Sequence, residues 1–405
     1  MKKLFCVLVC LVLTAFALVS CGDVDRSDWL GQGKDDDGKI VGGNYNGENT
    51  IVTIPEVNMN LYIIVEDETW DTTKSEGLKV ISKPEDKIVV TQAINTVSNA
   101  IKDYTSTTYK TVLNVKFVKA SEYETVVLDA VKAGNSDANA ANIVLVNSYA
   151  LMQDLYATGK LVALDSYLDT SAYGQLNTNI PTALLEASKL DGKLYSIPNN
   201  HVIGNYEYLL INKEAAKECK ISDTAAKSFT SYDEVLDIID DKFDNSNGNL
   251  VALVSGSYED RFLYEAQGYY CNVVKNPIAD KNEAFSSAFA IINRNSEGSK
   301  VDMNERAMQI IYDLNMMTKL RNILQYGVAG TNYKLDSDEN DVVSKLEKGP
   351  NLYSMNLIYT GNTLNAFVCE EIGWTEETKA NTIAQNADSI TIEDLNAENN
   401  GSTEE

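Results

Sequence analysis

Apolar and polar positions are arranged in three distinguishable ways along this chain. Leu61-Tyr-Ile-Ile-Val65 and Ile143-Val-Leu-Val146 are continuous apolar runs, the pattern of strands buried on both faces of a parallel sheet. Leu113, Val115 and Phe117 alternate with Asn114 and Lys116, which predicts a strand with one polar face. Ile94, Val97, Ile101 and Tyr104 recur at three- to four-residue spacing, which predicts an amphipathic helix. Ser121 and Glu124 form a capping box ahead of a helix with Val127 and Val131 on one face. The order is β-α-β-α-β, which argues for a parallel sheet with right-handed crossovers.

A second set follows. Tyr208–Ile211, Leu250–Val254 and Ala288–Ile292 read as strands. Ser231 and Glu234 repeat the capping box before Val235, Ile238 and Ile239. Asp302 caps the clearest helix, in which Met303, Ala307, Ile310, Ile311, Leu314 and Met317 line one face. Parallel sheets take ligands at the carboxyl ends of their strands. That rule singles out Glu66 and Asp67 after the first strand, with Trp70 in the same loop, and Ser148 and Tyr149 after the third.

The first 20 residues read as an export signal, with Lys2 and Lys3 ahead of an apolar stretch too short to span a bilayer. It closes in Leu18-Val19-Ser20-Cys21, which resembles a bacterial lipobox and implies lipidation of Cys21. The expectation is a chain anchored by acyl groups on the extracytoplasmic face of the cell membrane. Residues 21–55 are rich in Gly, Asp and Asn and predict a flexible tether; residues 391–405 predict a disordered tail.

Charge narrows the chemistry. Lys plus Arg is 34 against 59 Asp plus Glu, a net charge of −25, which disfavours nucleic acid and anionic lipid surfaces as partners. The single histidine, His201, leaves little room for a histidine zinc site, and no nucleophile motif accompanies it. Cys219, Cys271 and Cys369 remain after the leader and read as structural thiols, without a CxxC pair. Asp336, Asp338, Asn340 and Glu347 have EF-hand spacing, but Asp341 stands where the loop needs Gly, so a hairpin turn is the preferred reading. No catalytic set, metal or cofactor is expected.

Several stretches, in order, carry a family resemblance. They are Asn142-Ile-Val-Leu-Val-Asn-Ser-Tyr149 with Gly159-Lys-Leu-Val-Ala-Leu-Asp165, then Gly192-Lys-Leu-Tyr-Ser-Ile-Pro198 and Tyr208-Leu-Leu-Ile-Asn-Lys213. Glu305-Arg-Ala-Met308, Leu320–Gly327 with Gly330-Thr-Asn-Tyr333, and Tyr359-Thr-Gly-Asn362 complete the set. Together they resemble the extracellular solute-binding proteins of ABC importers, of the family-1, oligosaccharide-type lipoproteins of clostridia and related bacteria. Asn142 stands where that family usually has Asp.

The resemblance implies an α/β, two-lobe periplasmic-binding-protein-like fold, each lobe a mainly parallel sheet flanked by helices, with a hinge and a ligand cleft. Lobe 1 is expected at 56–166 plus about 286–345, and lobe 2 at about 167–285 plus about 346–390. It also implies a monomer that closes on a solute, most simply a sugar, and docks on permease subunits. Sugar recognition uses aromatic faces and paired polar groups. With 22 Tyr and 3 Trp available, Asn199, Asn200, His201, Tyr206, Tyr258, Glu259 and Trp374 join the candidates, with Tyr333 beside them. Two other readings stay open at this point: an extracellular glycosidase using paired carboxylates, and a surface sensor or interaction lipoprotein. Peptides and polyamines remain alternative ligands for an acidic surface.

Overall fold

A computed structural model describes residues 32–34, 40–42, 55–65, 84–243, 249–299, 301–336, 341–348 and 351–395, with side chains from residue 93 onward in the first long helix. The chain divides into two compact units, Met1–Glu56 and Val57–Glu405. In the first unit, Gln32–Lys34 pairs antiparallel with Ile40–Gly42, so the expected tether contains a short hairpin. The leader and Cys21 lie outside the described residues.

The second unit contains two sheets of different construction. The first has five strands. In chain order its elements are β1 (Val57–Val65), α1 (Pro84–Tyr109), β2 (Thr111–Lys119), α2 (Tyr123–Lys132), β3 (Ile143–Val146) and α3 (Tyr149–Ala157). Later come β4 (Ser196–Pro198) and, further on, Ala288–Ile291. The strand order from one edge is β2-β1-β3, then Ala288–Ile291, then β4. β1 is parallel to both β2 and β3, as the β-α-β-α-β pattern predicts. Ala288–Ile291 enters antiparallel to β3 and to β4. The apolar runs are the centre of this sheet: Leu61, Ile63, all of β3 and Phe289 are essentially solvent-free.

The second sheet departs from expectation. Its strands are β5 (Tyr206–Asn212), β6 (Val251–Gly256) and β7 (Tyr269–Lys275), with β5 in the middle and antiparallel to both neighbours. The expected mainly parallel second sheet is therefore corrected to an antiparallel one. The physical reason lies in the side-chain pattern. β5 alternates: Leu209 and Ile211 meet Ala215, Val235 and Ile239 on one face, while Tyr206, Tyr208 and Leu210 meet Cys271, Tyr258 and Tyr264 on the other. A strand that presents two different faces satisfies an antiparallel ladder covered by separate layers.

β4 belongs to the first sheet, so residues 167–198 lead into one of its strands. Two segments run between the sheets, 199–205 and 276–287. They approach so closely that a Cβ on Gly204 (φ +47°) would stand 3.2 Å from the Ile278 carbonyl oxygen.

Two of the three predicted side-chain caps form. The Ser231 hydroxyl accepts from Glu234 N, and the Asp302 carboxylate accepts from Asn304 N and Glu305 N. Ser121 caps nothing in this way: β2 runs into a 3-10 turn at Ala120–Glu122, so α2 begins at Tyr123 with Glu122 at the cap position. Of the EF-hand pattern, Asp338 and Asn340 lie outside the described residues; around them Tyr333–Leu335 pairs antiparallel with Val343–Leu346, and Glu347 faces Lys334 and Lys345 at 3.5 and 3.8 Å. No cluster of metal-ligating side chains exists among the described residues. Cys219, Cys271 and Cys369 are free thiols, the last two buried.

Candidate functional site

The residues after β3, the two crossing segments and the helix Glu376–Ala387 meet in one region. Its floor is the crossing 199–205. Asn199 is fully buried; its amide donates to Ser287 Oγ at 2.8 Å and to the Ile358 carbonyl at 3.1 Å. Asn200 donates to the Asn179 carbonyl and accepts from Asn386 Nδ2. The Asn200 carbonyl takes both the amide N–H and the hydroxyl of Thr363. Asn200 and the Asn199 amide nitrogen are spent on protein partners that hold the crossing in place, while Asn199 Oδ1 is buried without a hydrogen-bond partner.

His201 is equally committed. It is 4% exposed. Its Nδ1 lies 2.6 Å from the Asn199 carbonyl oxygen, an acceptor, so Nδ1 carries the proton. Nε2 faces both Glu283 Oε1 and Ser286 Oγ at 3.1 Å. A serine–histidine–acid relay needs the acid and the hydroxyl on opposite ring nitrogens. Here both sit on the same one, so this trio is a clasp between residues 199–205 and 276–287 rather than a relay.

The last helix, Glu376–Ala387, bolts the crossing from outside. Asn386 Oδ1 accepts from Ile203 N, and its Nδ2 donates to Asn200 Oδ1 and to the His201 carbonyl. Gln385 donates to the Ile203 carbonyl and accepts from Tyr258 N. Sequence reasoning missed this helix as a functional element. Its buried face is Thr382, Gln385 and Asn386, and a polar buried face carries no apolar periodicity to detect.

Tyr206 is 2% exposed; it donates to Asp388 Oδ2 and stacks on Tyr208 at 5.3 Å between ring centroids. Burial first, then the Asp388 carboxylate, push its phenol well above the usual range. Tyr258 is half-buried and meets Phe262 edge-on at 5.5 Å, beside the exposed Glu259. Phe262 and Leu263 are each more than half exposed, so this end of the second sheet presents an aromatic and aliphatic surface.

At the first sheet's rim, the Ser148 hydroxyl caps α3 by accepting from Leu151 N. Tyr149, half-buried, stacks on Phe285 at 5.6 Å with rings 10° apart. Tyr149 and Phe285 come from separate chain segments, which sequence alone does not pair. Trp374 belongs to a different neighbourhood: it is buried in a turn with Cys369, exchanging backbone bonds with it. Tyr333 is buried against Tyr326. Glu66, Asp67 and Trp70 lie outside the described residues.

The segment Leu357–Thr360 closes the rim. Arg321, fully buried, donates to the carbonyl at the segment's start, Leu357 O, and to that of Asn362, two residues past its end, both at 3.1 Å. Its bonded partners are these carbonyls and the Asn322 amide oxygen, all neutral, and burial lowers its pKa to about 10. Gly361 (φ +115°) follows, where a Cβ would stand 2.1 Å from the Leu314 carbonyl oxygen; no other residue fits. Tyr359 is left half-buried at the end of this strap.

No family model matches the chain, and no curated protein matches it. Solved structures do. The N-glycan transport solute binding protein NgtS of Streptococcus pneumoniae is similar over 83% of this chain and 84% of its own, with 13% identity and a TM-score of 0.50. NgtS in complex with Man1GlcNAc gives 14% identity and a TM-score of 0.47, covering 83% and 84%. Its complex with Man5GlcNAc gives 14% and 0.48, covering 83% of each chain. At this identity the likeness is one of fold: the chain shares the α/β architecture of NgtS.

Proposed function

We propose that this protein is a lipid-anchored, extracytoplasmic solute-binding protein that captures a carbohydrate between its two sheets and delivers it to an ABC permease. The observation that carries the reading is the crossing itself. Two chain segments between the sheets, clasped by His201–Glu283 and bolted by Asn386, form the kind of hinge on which lobes close. The aromatic surfaces flanking it, Tyr149 on Phe285 and Tyr258 with Phe262, have the faces that sugar rings stack on. The fold shared with NgtS supports the same reading. In this proposal Ser148, Tyr149, Tyr258 and Glu259 meet the ligand, while Asn199, Asn200, His201 and Tyr206 position the hinge. Cys21 carries the anchor, and the chain acts as a monomer.

A thermal-shift series with mannose- and N-acetylglucosamine-containing oligosaccharides, peptides and polyamines tests it. A ligand at a hundredfold excess over its Kd adds about 2.7 kcal/mol to stability and raises Tm accordingly. The expected result is a shift with an oligosaccharide, without its turnover, that Tyr149→Ala and Tyr258→Ala weaken. Shifts confined to peptides or polyamines would overturn the carbohydrate assignment. Cleavage of the oligosaccharide would overturn the binding-protein reading.

A further inference from the structure

The opposite end of the first sheet from the hinge holds a different constellation. The even positions of β1 and β2 carry Asn58, Asn60, Asn114 and Lys116 where a buried strand face would carry aliphatic side chains, and Asn60 and Asn114 are register partners. Asparagine is depleted from strands, so its concentration on neighbouring strands calls for a reason. The loop after α2 borders this face on one side and residues 294–303 on the other, leaving an open polar pocket of 580 Å³.

Bond lengths separate the amides that hold the fold from those that do not. Asn60 donates to the Ala140 and Ala138 carbonyls at 2.8 and 3.0 Å, and Asn142 Oδ1 accepts from Asn60 N at 2.9 Å. Those two are structural. Asn114 reaches its nearest acceptors only at 3.3 and 3.4 Å, Asn135 at 3.4 Å and Lys116 at 3.4 Å. Asn58 is exposed. Good N–H···O bonds cluster near 2.9–3.0 Å. Loosely held donors thus converge on one concavity.

We propose that this pocket is a second ligand site, separate from the hinge, for a neutral polyhydroxylated molecule of mono- or disaccharide size. The charges select neutrality. Lys116 and the buried Arg294, whose donors all go to backbone carbonyls and Asn135, oppose a cation. Asp137, in the same pocket, opposes an anion. Amide groups supply donor and acceptor side by side, which suits vicinal hydroxyls. The volume lies within the usual range of small-molecule sites, about 300–1,000 Å³.

Saturation-transfer NMR on the whole protein tests the site, with methyl α-mannopyranoside and N-acetylglucosamine as probes. Asn58→Trp covers the pocket from an exposed strand position, and Asn114→Leu removes one amide at similar size. Melting temperature verifies that each variant is folded. Both variants are made in a Tyr149→Ala/Tyr258→Ala background, which weakens the hinge site, and that background protein is the reference. We expect transfer from the reference to at least one probe, reduced about fivefold by the loss of a hydrogen bond's worth of affinity in Asn114→Leu and by more in Asn58→Trp. Absence of transfer in the reference, or survival of its full signal in folded Asn58→Trp, would overturn the assignment. Tighter binding of glucuronate or of glucosamine than of the neutral probes would overturn the ligand class.

Discussion

The first sheet is buried on both faces at its centre; the second is not. β3 is solvent-free along its whole length, whereas β6 alternates between buried ends and a half-exposed or exposed middle, with Leu253 44% exposed. The first sheet's interior is aliphatic with Phe289 at its centre, and close packing of that kind resists deformation. One face of the second is a bank of tyrosines, Tyr206, Tyr208, Tyr258 and Tyr264, and the hydroxyls of Tyr206 and Tyr208 are tied to polar partners. The contrast is one of construction: a close-packed aliphatic frame stands beside a less buried, aromatic-faced sheet.

The comparison is most vulnerable at Phe289. Phe289→Ala removes a fully buried ring between β3 and β4 and is expected to cost about 3–5 kcal/mol, read as a fall in the urea midpoint. A loss below about 1 kcal/mol would show that the frame is not the close-packed partner.

Alkaline pH addresses the aromatic-faced sheet. Burial and Asp388 hold the Tyr206 phenol neutral, burial does the same for Tyr208, and burial pushes the Cys271 thiol to about 11. A group that keeps its proton longer when folded contributes fully below its unfolded value, about 10 for a phenol, and that contribution drains away as pH climbs toward the raised folded value. Stability should therefore hold through neutral pH and fall above about pH 10, with the second sheet's amides losing hydrogen-exchange protection first. Tyr206→Phe should cost about 1 kcal/mol at pH 7 through the lost Asp388 bond and should flatten the alkaline fall. Parallel alkaline curves for variant and wild type would remove Tyr206 from the explanation.

The smallest effect is expected at Leu253. Leu253→Ala, on the same sheet but nearly half exposed, should shift the urea midpoint by no more than about 0.5 kcal/mol equivalent. A cost matching that of Phe289→Ala would erase the distinction between the sheets.

Much of the frame was legible because its signals are local. The runs at Leu61–Val65 and Ile143–Val146, the alternation through Leu113–Phe117 and the caps at Ser231 and Asp302 each depend on residues within one or two turns of each other. The Ser121 cap failed for a local reason as well: the strand's exit turn used the residues the box needed. The site was less legible. Asn199, Asn200 and His201 were marked by their polarity near a strand end, but polarity does not reveal whether an amide faces a ligand or the Ile358 carbonyl 159 residues away. Tyr149 met Phe285, and Asn386 met Ile203, through contacts of the same long range.

The α/β class, the strands of the frame, the acidic balance and the single histidine were all fixed in the order of residues. They follow from side-chain size, charge and short-range periodicity, which neighbouring residues already express. Folding in three dimensions was needed to make the second sheet antiparallel, to join β4 to the first, and to clasp His201 between Glu283 and Ser286 on one nitrogen. It also separated the asparagines that are spent from those that line an open pocket. Each of those outcomes depends on hydrogen bonds between groups far apart in the chain, whose pairing is settled by burial and geometry after the local elements have formed.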